Sequence, residues 1–314
     1  MGGLGRYLAR RLLLLVPVIL GITLVVFVLM NVVPGDPLYS LIDERSAGLD
    51  PAVAEAIRRQ WGLDRPLYVQ YVRFLANAIQ GDLGRSFVSR QRVTEAVVER
   101  LGATLRLGLA ALVVAVGVGL PAGIVAATRR GSAVDAASMV AAMAGVSMPV
   151  FWLGLLLMYL LAVSHRWLPP SGYGGGALRY LVLPALTLGL PVAAVVARIA
   201  RSAMLEVLRR EYVVTARAKG LPEGAVLVRH GLRNALIPIV TIVGVQAGGL
   251  LSGAVVTETI FNWPGVGRLL IDAIGRRDMP VVQGAVIFIA VLFALVNLIV
   301  DVTYAFIDPR VRYE

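Results

Sequence analysis

The chain has 314 residues, of which 58% are apolar and only 16% charged, with 30 Lys plus Arg against 19 Asp plus Glu for a net charge of +11. A soluble domain averages about 45–50% apolar and about 25% charged residues, so this composition, with a mean hydropathy of +0.79, excludes a water-soluble globule and points to a membrane protein. No cysteine is present, which excludes disulfides, thiolate metal sites and a cysteine nucleophile, and two histidines, His165 and His230, are too few for a histidine-built metal centre.

The basic residues fall between apolar runs, not among aromatics on a soluble face, so the charge does not read as nucleic-acid binding. A hydrocarbon core of about 30 Å needs roughly 20 apolar helical residues. Six runs qualify: Leu12 to Val33, Leu105 to Ala127, Ala136 to Val163, Leu181 to Ala197, Ile237 to Val256 and Val282 to Ile307. The first follows Arg6, Arg10 and Arg11 but is too long for a signal-peptide core and lacks a small-residue cleavage site, so it reads as a retained anchor. The fourth is interrupted by Pro184 and Pro191 and can span only with help from its neighbours.

Between the first two runs, Asp50-Pro51 to Gly62 and Asp64 to Gly81 each carry helix signals, the second with Tyr68, Tyr71, Val72, Leu75 and Ile79 at helical spacing. They predict a small helical cap, either a scaffold packed on the spans or a partner contact. Arginines crowd the termini and one set of short loops (Arg6, Arg10, Arg11, Arg129, Arg130, Arg198, Arg201, Arg209, Arg210, Arg217, Arg229, Arg233, Arg310, Arg312, with Lys219) and thin out in the other (Arg166, Arg179, Arg268, Arg276, Arg277); the nine in Pro34 to Thr104 are set aside, since loops beyond about 60 residues translocate largely regardless of charge. By the positive-inside rule both termini are expected in the cytoplasm.

The richest stretch is Glu211 to Pro238. A short helix is expected to run to Ala218 or Lys219, with Gly220 as its stop and Pro222 opening the next helix at its first position. On that second helix Ala225, Val228, Leu232, Ala235 and Leu236 form an apolar stripe, with Arg229, His230, Arg233 and Asn234 opposite. One face would pack on the membrane domain and the other would meet something polar. That is either anionic lipid, for which juxtamembrane basic residues suffice, or the carboxylates of a protein partner.

On these residues the chain resembles the permease subunits of binding-protein-dependent ATP-binding-cassette (ABC) importers, in the dipeptide, oligopeptide and nickel branch. The matching positions are Glu211, Tyr212, Thr215, Ala216, Arg217, Ala218, Lys219, Gly220 and Leu221, then Arg229, His230, Leu232, Arg233, Asn234, Ala235 and Pro238. Further matches run along nearly the whole chain: Pro34-Gly35-Asp36-Pro37, Gly81-Asp82-Leu83-Gly84, Pro149 with Phe151-Trp152, Phe261 to Gly265, Gly267, Arg277-Asp278 and Asp308-Pro309-Arg310. Val214-Thr215-Ala216 stands where the wider superfamily has Glu-Ala-Ala, so no glutamate contact of that triplet is expected.

The resemblance implies an all-α membrane protein with six transmembrane helices in the type I ABC importer permease fold, plus a small helical extracytoplasmic insertion. Residues 1–33 would hold the cytoplasmic N-terminus and first span, 34–104 the cap, and 105–314 a five-helix core with a cytoplasmic coupling loop at 198–236 and an outer loop at 257–281. It implies as partners a second homologous permease subunit, two ATP-binding subunits, an extracytoplasmic substrate-binding protein and the lipid bilayer of the cell inner membrane. Short peptides would be the cargo, with nickel or glutathione as alternatives in the same branch.

The chain itself is not expected to be an enzyme or to hold a cofactor. A phosphate-gripping G-x-x-x-x-G-K-[ST] loop needs Ser or Thr after its lysine, and the only lysine, Lys219, is followed by Gly220. ATP and Mg²⁺ therefore belong to partner subunits; no H-E-x-x-H metal motif and no intramembrane Ser-Lys dyad is present either. The rival function is an ion-coupled secondary transporter, for which Asn297, Asp301, Tyr304 and Asp308 supply a polar stripe on the last run. A helix-to-helix bond and an ion site both fit it. In the last outer loop, Phe261, Trp263, Leu269, Leu270 and Ile274 can pack on neighbouring spans. By the resemblance, Asn262, Trp263, Pro264, Gly265 and Arg268 can instead meet the docked binding protein as a gate loop, with Pro264, Gly265 and Gly267 in a turn ahead of a short helix.

Overall fold

The computed structural model describes residues 2–32, 55, 59, 62 and 64–307, which form helices and turns with one isolated bridge, Arg85 to Arg92. The helices are α1 (Gly2–Val32), α2 (Leu67–Ile79), α3 (Val93–Thr128), α4 (Ala133–Ser147), α5 (Val150–Leu157), α6 (Leu178–Val207), α7 (Glu211–Ala218), α8 (Arg233–Ile260), α9 (Val266–Gly275) and α10 (Met279–Ile307). Among the described residues four are long and apolar enough to cross a membrane, or five if one bent pair counts as a single span. The described apolar stretch of α1 is shorter, Val16–Leu29, so the expected count of six is not reached by length and composition.

The third expected run, Ala136 to Val163, is not one straight helix. It breaks at Met148-Pro149 into α4 and α5, which meet at 111°. Met148 is extended (φ −77°, ψ 129°), as a residue before proline prefers, and Pro149 has no N–H with which to continue the ladder. The cap helix α2 likewise starts at Leu67, not Asp64, because Pro66 stands extended ahead of it. Its inward face is Tyr71, Phe74, Leu75 and Ala78, while Tyr68, Val72 and Ile79 are exposed. The expected helix from Asp50 and the Pro34 to Pro37 motif lie outside the described residues, apart from Glu55 and Arg59, which are helical.

The chain divides into two compact units, residues 1–4, 104–263 and 295–314 in one, residues 5–103 and 264–294 in the other. In the first unit α6 is the central helix, packed against α4, α5 and α8. That burial is what lets it run unbroken through Pro184 and Pro191, since neighbouring helices shield the backbone groups that proline frees. Small residues set the approach of α3 and α6: a Cβ on Gly119 would lie 2.4 Å from the Ala193 carbonyl oxygen, and one on Gly123 2.5 Å from that of Ala197. Glycines four apart thus let two backbones touch, the small-xxx-small device of membrane helices.

In the second unit the core is Val93, Val97, Val266, Ala273, Val281, Val282 and Ala285. Two motifs far apart in sequence meet there. Asp82 Oδ1 accepts from Gly84 N–H at 2.9 Å, shaping a turn whose Gly84 carbonyl accepts from Val93 N–H at the start of α3. Just beyond it, the buried Asp278 accepts from Ser86 Oγ at 2.5 Å and Phe87 N–H at 2.9 Å, which satisfies a carboxylate that would otherwise be costly to bury. Tyr71 joins α2 to α1 through its ring on Phe27 and its hydroxyl at Thr23 and Leu20.

Candidate functional site

The corner after α7 is built by its glycine. Gly220 has φ +77°, its N–H donates to the Arg217 carbonyl, and Leu221 N–H reaches back to Ala216 O at 3.4 Å. Those two bonds are the Schellman pattern, in which a left-handed residue just past the helix satisfies its last carbonyls. Pro222 sits at the cap of the following turn and not at its first helical position, with its carbonyl accepting from Ala225 and Val226 N–H. Arg217 closes the corner from outside, donating to both carboxylate oxygens of Glu223 at 2.6 and 3.1 Å. That guanidinium holds the Glu223 carboxyl below its ordinary range. Arg217 is thus already paired within this chain.

Two faces of α7 separate clearly. Val213 and Ala216 are buried against Val226, so Ala216 is small for packing within the chain and not for contact with a partner. The other face is exposed: Glu211, Tyr212, Val214, Thr215, Arg217, Ala218, Lys219, then Gly220 and Leu221. Three of these, Tyr212, Val214 and Leu221, are large apolar side chains left exposed.

The helix after the corner departs from the expected stripe. Glu223–Ala225 leads into a π-helical stretch, Val226–Leu232, which runs on into α8. A π turn carries one residue more than an α turn, so the inward positions fall at Val226, Gly231, Ala235 and Ile239, five residues apart and then four. Val228, expected inside, is 65% exposed. Arg229, Arg233 and Asn234 are exposed and His230 partly so, with Asn234 Nδ2 donating to the His230 carbonyl at 2.9 Å.

At its other end α8 finishes in the same way. Asn262 has φ +53°, Asn262 N–H donates to Thr259 O and Trp263 N–H to Glu258 O, so Asn262 fills the left-handed cap position that Gly220 fills after α7. Trp263 is wholly buried, edge-on to Tyr173 at 4.8 Å, and Phe261 is buried beside Leu183 and Ala162. Trp263 therefore packs inside and presents no surface to a partner. Pro264 and Gly265 follow, and α9 starts at Val266 and takes in Gly267, so the expected short helix is longer and Gly267 lies in it, not in the turn. Arg268, partly exposed, stands 3.7 Å from Asp272. On α10, Asn297 is half-buried; the side chains of Asp301 and Tyr304, and all of Asp308, lie outside the described residues.

Two features escape a pattern search of the sequence. Glu258 is fully buried, accepting from Thr104 Oγ1 at 2.7 Å; no motif marks it beyond its place before Phe261. Asp135 is buried too, bound by Arg201 through two bonds of 2.6 and 2.8 Å and by Gly131 N–H. The Ser132 cap three residues ahead of Asp135 is its only local signal. The Gly119 and Gly123 contact is legible as a G-x-x-x-G spacing. Among the described residues no cluster of side chains is suited to hold a metal ion.

Residues 119–313 match the family described as binding-protein-dependent transport system inner membrane component, and residues 4–108 match the N-terminal family of the same membrane components. The chain is 47% identical to the di/tripeptide transport system permease protein DppB of Pseudomonas aeruginosa (strain UCBPP-PA14), covering 98% of this chain and 99% of that protein. It is 44% identical, with the same coverages, to the glutathione transport system permease protein GsiC of Escherichia coli (strain K12). Among solved structures, an inward-facing conformation of the MetNI methionine ABC transporter superposes with a TM-score of 0.57 at 17% identity, over 67% of this chain and 95% of that one, a likeness of fold.

Proposed function

The chain belongs to the family of inner-membrane components of binding-protein-dependent transport systems, and from that premise we propose that it carries short peptides inward, driven through the corner after α7. It is a multi-pass membrane permease subunit of an ABC importer, without catalysis of its own, and works in a complex with ATP-binding subunits and a binding protein. The secondary-transporter reading is set aside by that membership.

The observation that carries the coupling role is the division of α7. Its inner face is satisfied by Val226, while its outer face leaves Tyr212, Val214 and Leu221 beside Lys219, on a short helix held rigidly off the end of α6. Apolar side chains left exposed among charges mark a contact surface. A nucleotide-binding partner docks there, with Glu211, Tyr212, Thr215, Lys219, Gly220 and Leu221 in contact. Arg229, His230, Arg233 and Asn234 form the flank, and both termini lie on this cytoplasmic side. On the opposite side Arg268 and the Pro264-Gly265 turn face the binding protein, following Asn262 and Trp263 in the chain. A second, homologous permease completes the membrane part.

Two relatives name their cargo as di/tripeptides and as glutathione, so peptide is the first reading and glutathione the second. The test is reconstitution in liposomes of the chain with its permease partner, the ATP-binding subunits and the binding protein. Dipeptide-loaded binding protein is expected to stimulate ATP hydrolysis and uptake. Stimulation by glutathione alone would move the cargo assignment, and uptake by this chain without ATP would sink the importer reading.

A further inference from the structure

One cation of the first unit stands inside an apolar run. Arg106 is the only charged residue between Leu105 and Ala127 of α3. A charge at such a position is costly, and where one occurs it turns to the helix-packed side and meets either a partner or a substrate. Arg106 is half-buried and has no partner of its own: among the described residues no carboxylate lies within ion-pair distance of it and no acceptor takes a hydrogen bond from it. Its nitrogens are nevertheless not sealed from solvent.

The guanidinium lies against the turn ahead of α6, where Gly174-Gly175-Gly176 stands. A Cβ built on Gly176 would come 2.7 Å from Arg106 Nη1 and 3.3 Å from the Tyr173 hydroxyl, so the glycine leaves open the space on which these two groups close. The backbone of the turn favours the same kind of ligand. Tyr173 is right-handed (φ −112°, ψ −30°) and Gly174 left-handed (φ +53°), the alternation that gathers successive N–H groups into a concavity suited to an anion. Among the described residues the N–H groups of Tyr173, Gly174 and Gly175 donate to nothing. The turn is also held in place, since Gly172 N–H donates to the Phe261 carbonyl at 2.8 Å and the Tyr173 ring packs edge-on to the buried Trp263.

We propose that Arg106, with the Tyr173 hydroxyl beside it, holds the terminal carboxylate of the transported peptide, and that the unpaired N–H groups of the turn add positive potential around it. This rests on the peptide-permease reading given above. A carboxylate offers two oxygens to the guanidinium fork, and a short peptide and glutathione both end in one. The place suits the role. α3 runs alongside α6, with Gly119 on Ala193 and Gly123 on Ala197, and α6 leads to the coupling corner at its far end. Arg106, the second residue of the apolar run of α3, therefore stands at the other side of the membrane, where cargo enters.

The test uses the assembled importer in lipid nanodiscs without binding protein, with dialanine and dialanine amide as probes and saturation-transfer NMR as the readout. Dialanine is expected to bind roughly tenfold more tightly than the amide, as the loss of one charge-assisted pair implies. Arg106→Gln should remove that preference while leaving the amide's binding as it was. Arg106→Lys should keep part of it, because the charge remains and the fork does not. Equal binding of the two probes by the native importer, or an undiminished preference in Arg106→Gln, would overturn the proposal. If Arg106→Gln keeps the preference but sheds a bound phosphatidylglycerol in native mass spectrometry, the guanidinium serves a lipid headgroup and the carboxylate assignment falls. ATP-driven uptake of dialanine by the native importer with its binding protein is measured alongside. Uptake without probe preference strikes this site alone, whereas absence of uptake strikes the peptide reading on which it rests.

Discussion

Gly220 offers a test in which geometry separates two kinds of damage. Its φ of +77° is a conformation that L residues avoid, yet a Cβ built there meets no atom within 4 Å. Any loss on substitution is therefore conformational, not steric. A left-handed residue other than glycine costs about 1–2 kcal/mol, most for a β-branched side chain and least for asparagine. The molecule supplies its own control, since Asn262 holds the equivalent cap position after α8 at φ +53°. Gly220→Asn is expected to keep the corner, Gly220→Ala to lower the population that forms it by about fivefold, and Gly220→Val by roughly 30-fold. The assay is ATP hydrolysis by the reconstituted importer with and without loaded binding protein, alongside membrane insertion of each variant. Stimulated hydrolysis should fall in the order Asn, Ala, Val while insertion stays constant. A valine variant that hydrolyses normally, or an asparagine variant as impaired as valine, would refute the assignment of the corner to coupling.

Gly123→Ala places a methyl 2.5 Å from the Ala197 carbonyl and 2.7 Å from Ala200 Cβ, neither of which can swing away, so thermal stability in detergent should drop by about 1–3 kcal/mol; Gly117→Ala, with open space around it, should not. The Arg217 bond lowers the Glu223 pKa, so its contribution is fully present above the ordinary carboxylate range and is lost as pH falls through the lowered value. Hydrogen exchange at Leu221 to Ala225 should therefore quicken only in acid, and Glu223→Gln should abolish that dependence. Asp301→Asn is expected to retain most uptake and Asp301→Leu to impair assembly; gradient-driven uptake without ATP would contradict this. Single cysteines at Ser46 and Ser132 should differ in labelling of intact cells by an impermeant thiol reagent, the first reacting and the second not, and the reverse pattern would invert the topology.

What the sequence made legible is what local chemistry controls. Gly220 and the short helix before it were readable because one residue's φ sets the stop, and the long apolar runs were readable because their length exceeds any soluble helix of that composition. The break at Met148-Pro149 was visible as a proline but not as a 111° turn, because the angle depends on what α4 and α5 pack against. Val228 was misplaced for a different reason. A search at 3.6 residues per turn cannot register the π stretch over Val226–Leu232, which moves the inward face to Val226 and Gly231. Packing and partner contact stay open for Trp263 in the sequence because the ring it packs on, Tyr173, lies ninety residues away in the chain. Buried carboxylates such as Asp135, Glu258 and Asp278 leave no periodic trace, since their donors come from distant segments.

The corner proposed for coupling leads into α8, and the Asn262 cap ends it. α8 spans about 42 Å at 1.5 Å per residue, longer than the hydrocarbon core it crosses. Its C-terminal end is pinned within the first unit by Glu258 on Thr104, by Gly172 N–H on the Phe261 carbonyl and by Trp263 on Tyr173. The N-terminal end is built differently: the π stretch and Pro238 both interrupt the regular ladder there, which concentrates compliance next to α7. Beside the chain itself and the Arg217–Glu223 pair, the packed joint between α7 and the stretch that runs into α8 is Val213 and Ala216 against Val226. If that contact is tight the push tilts α8 as a rod, and if it is loose the π stretch absorbs it. The zero exposure of Val213 and Val226 places this joint on the tight side, so a push on the corner proposed for coupling would tilt α8 and not be taken up in the π stretch.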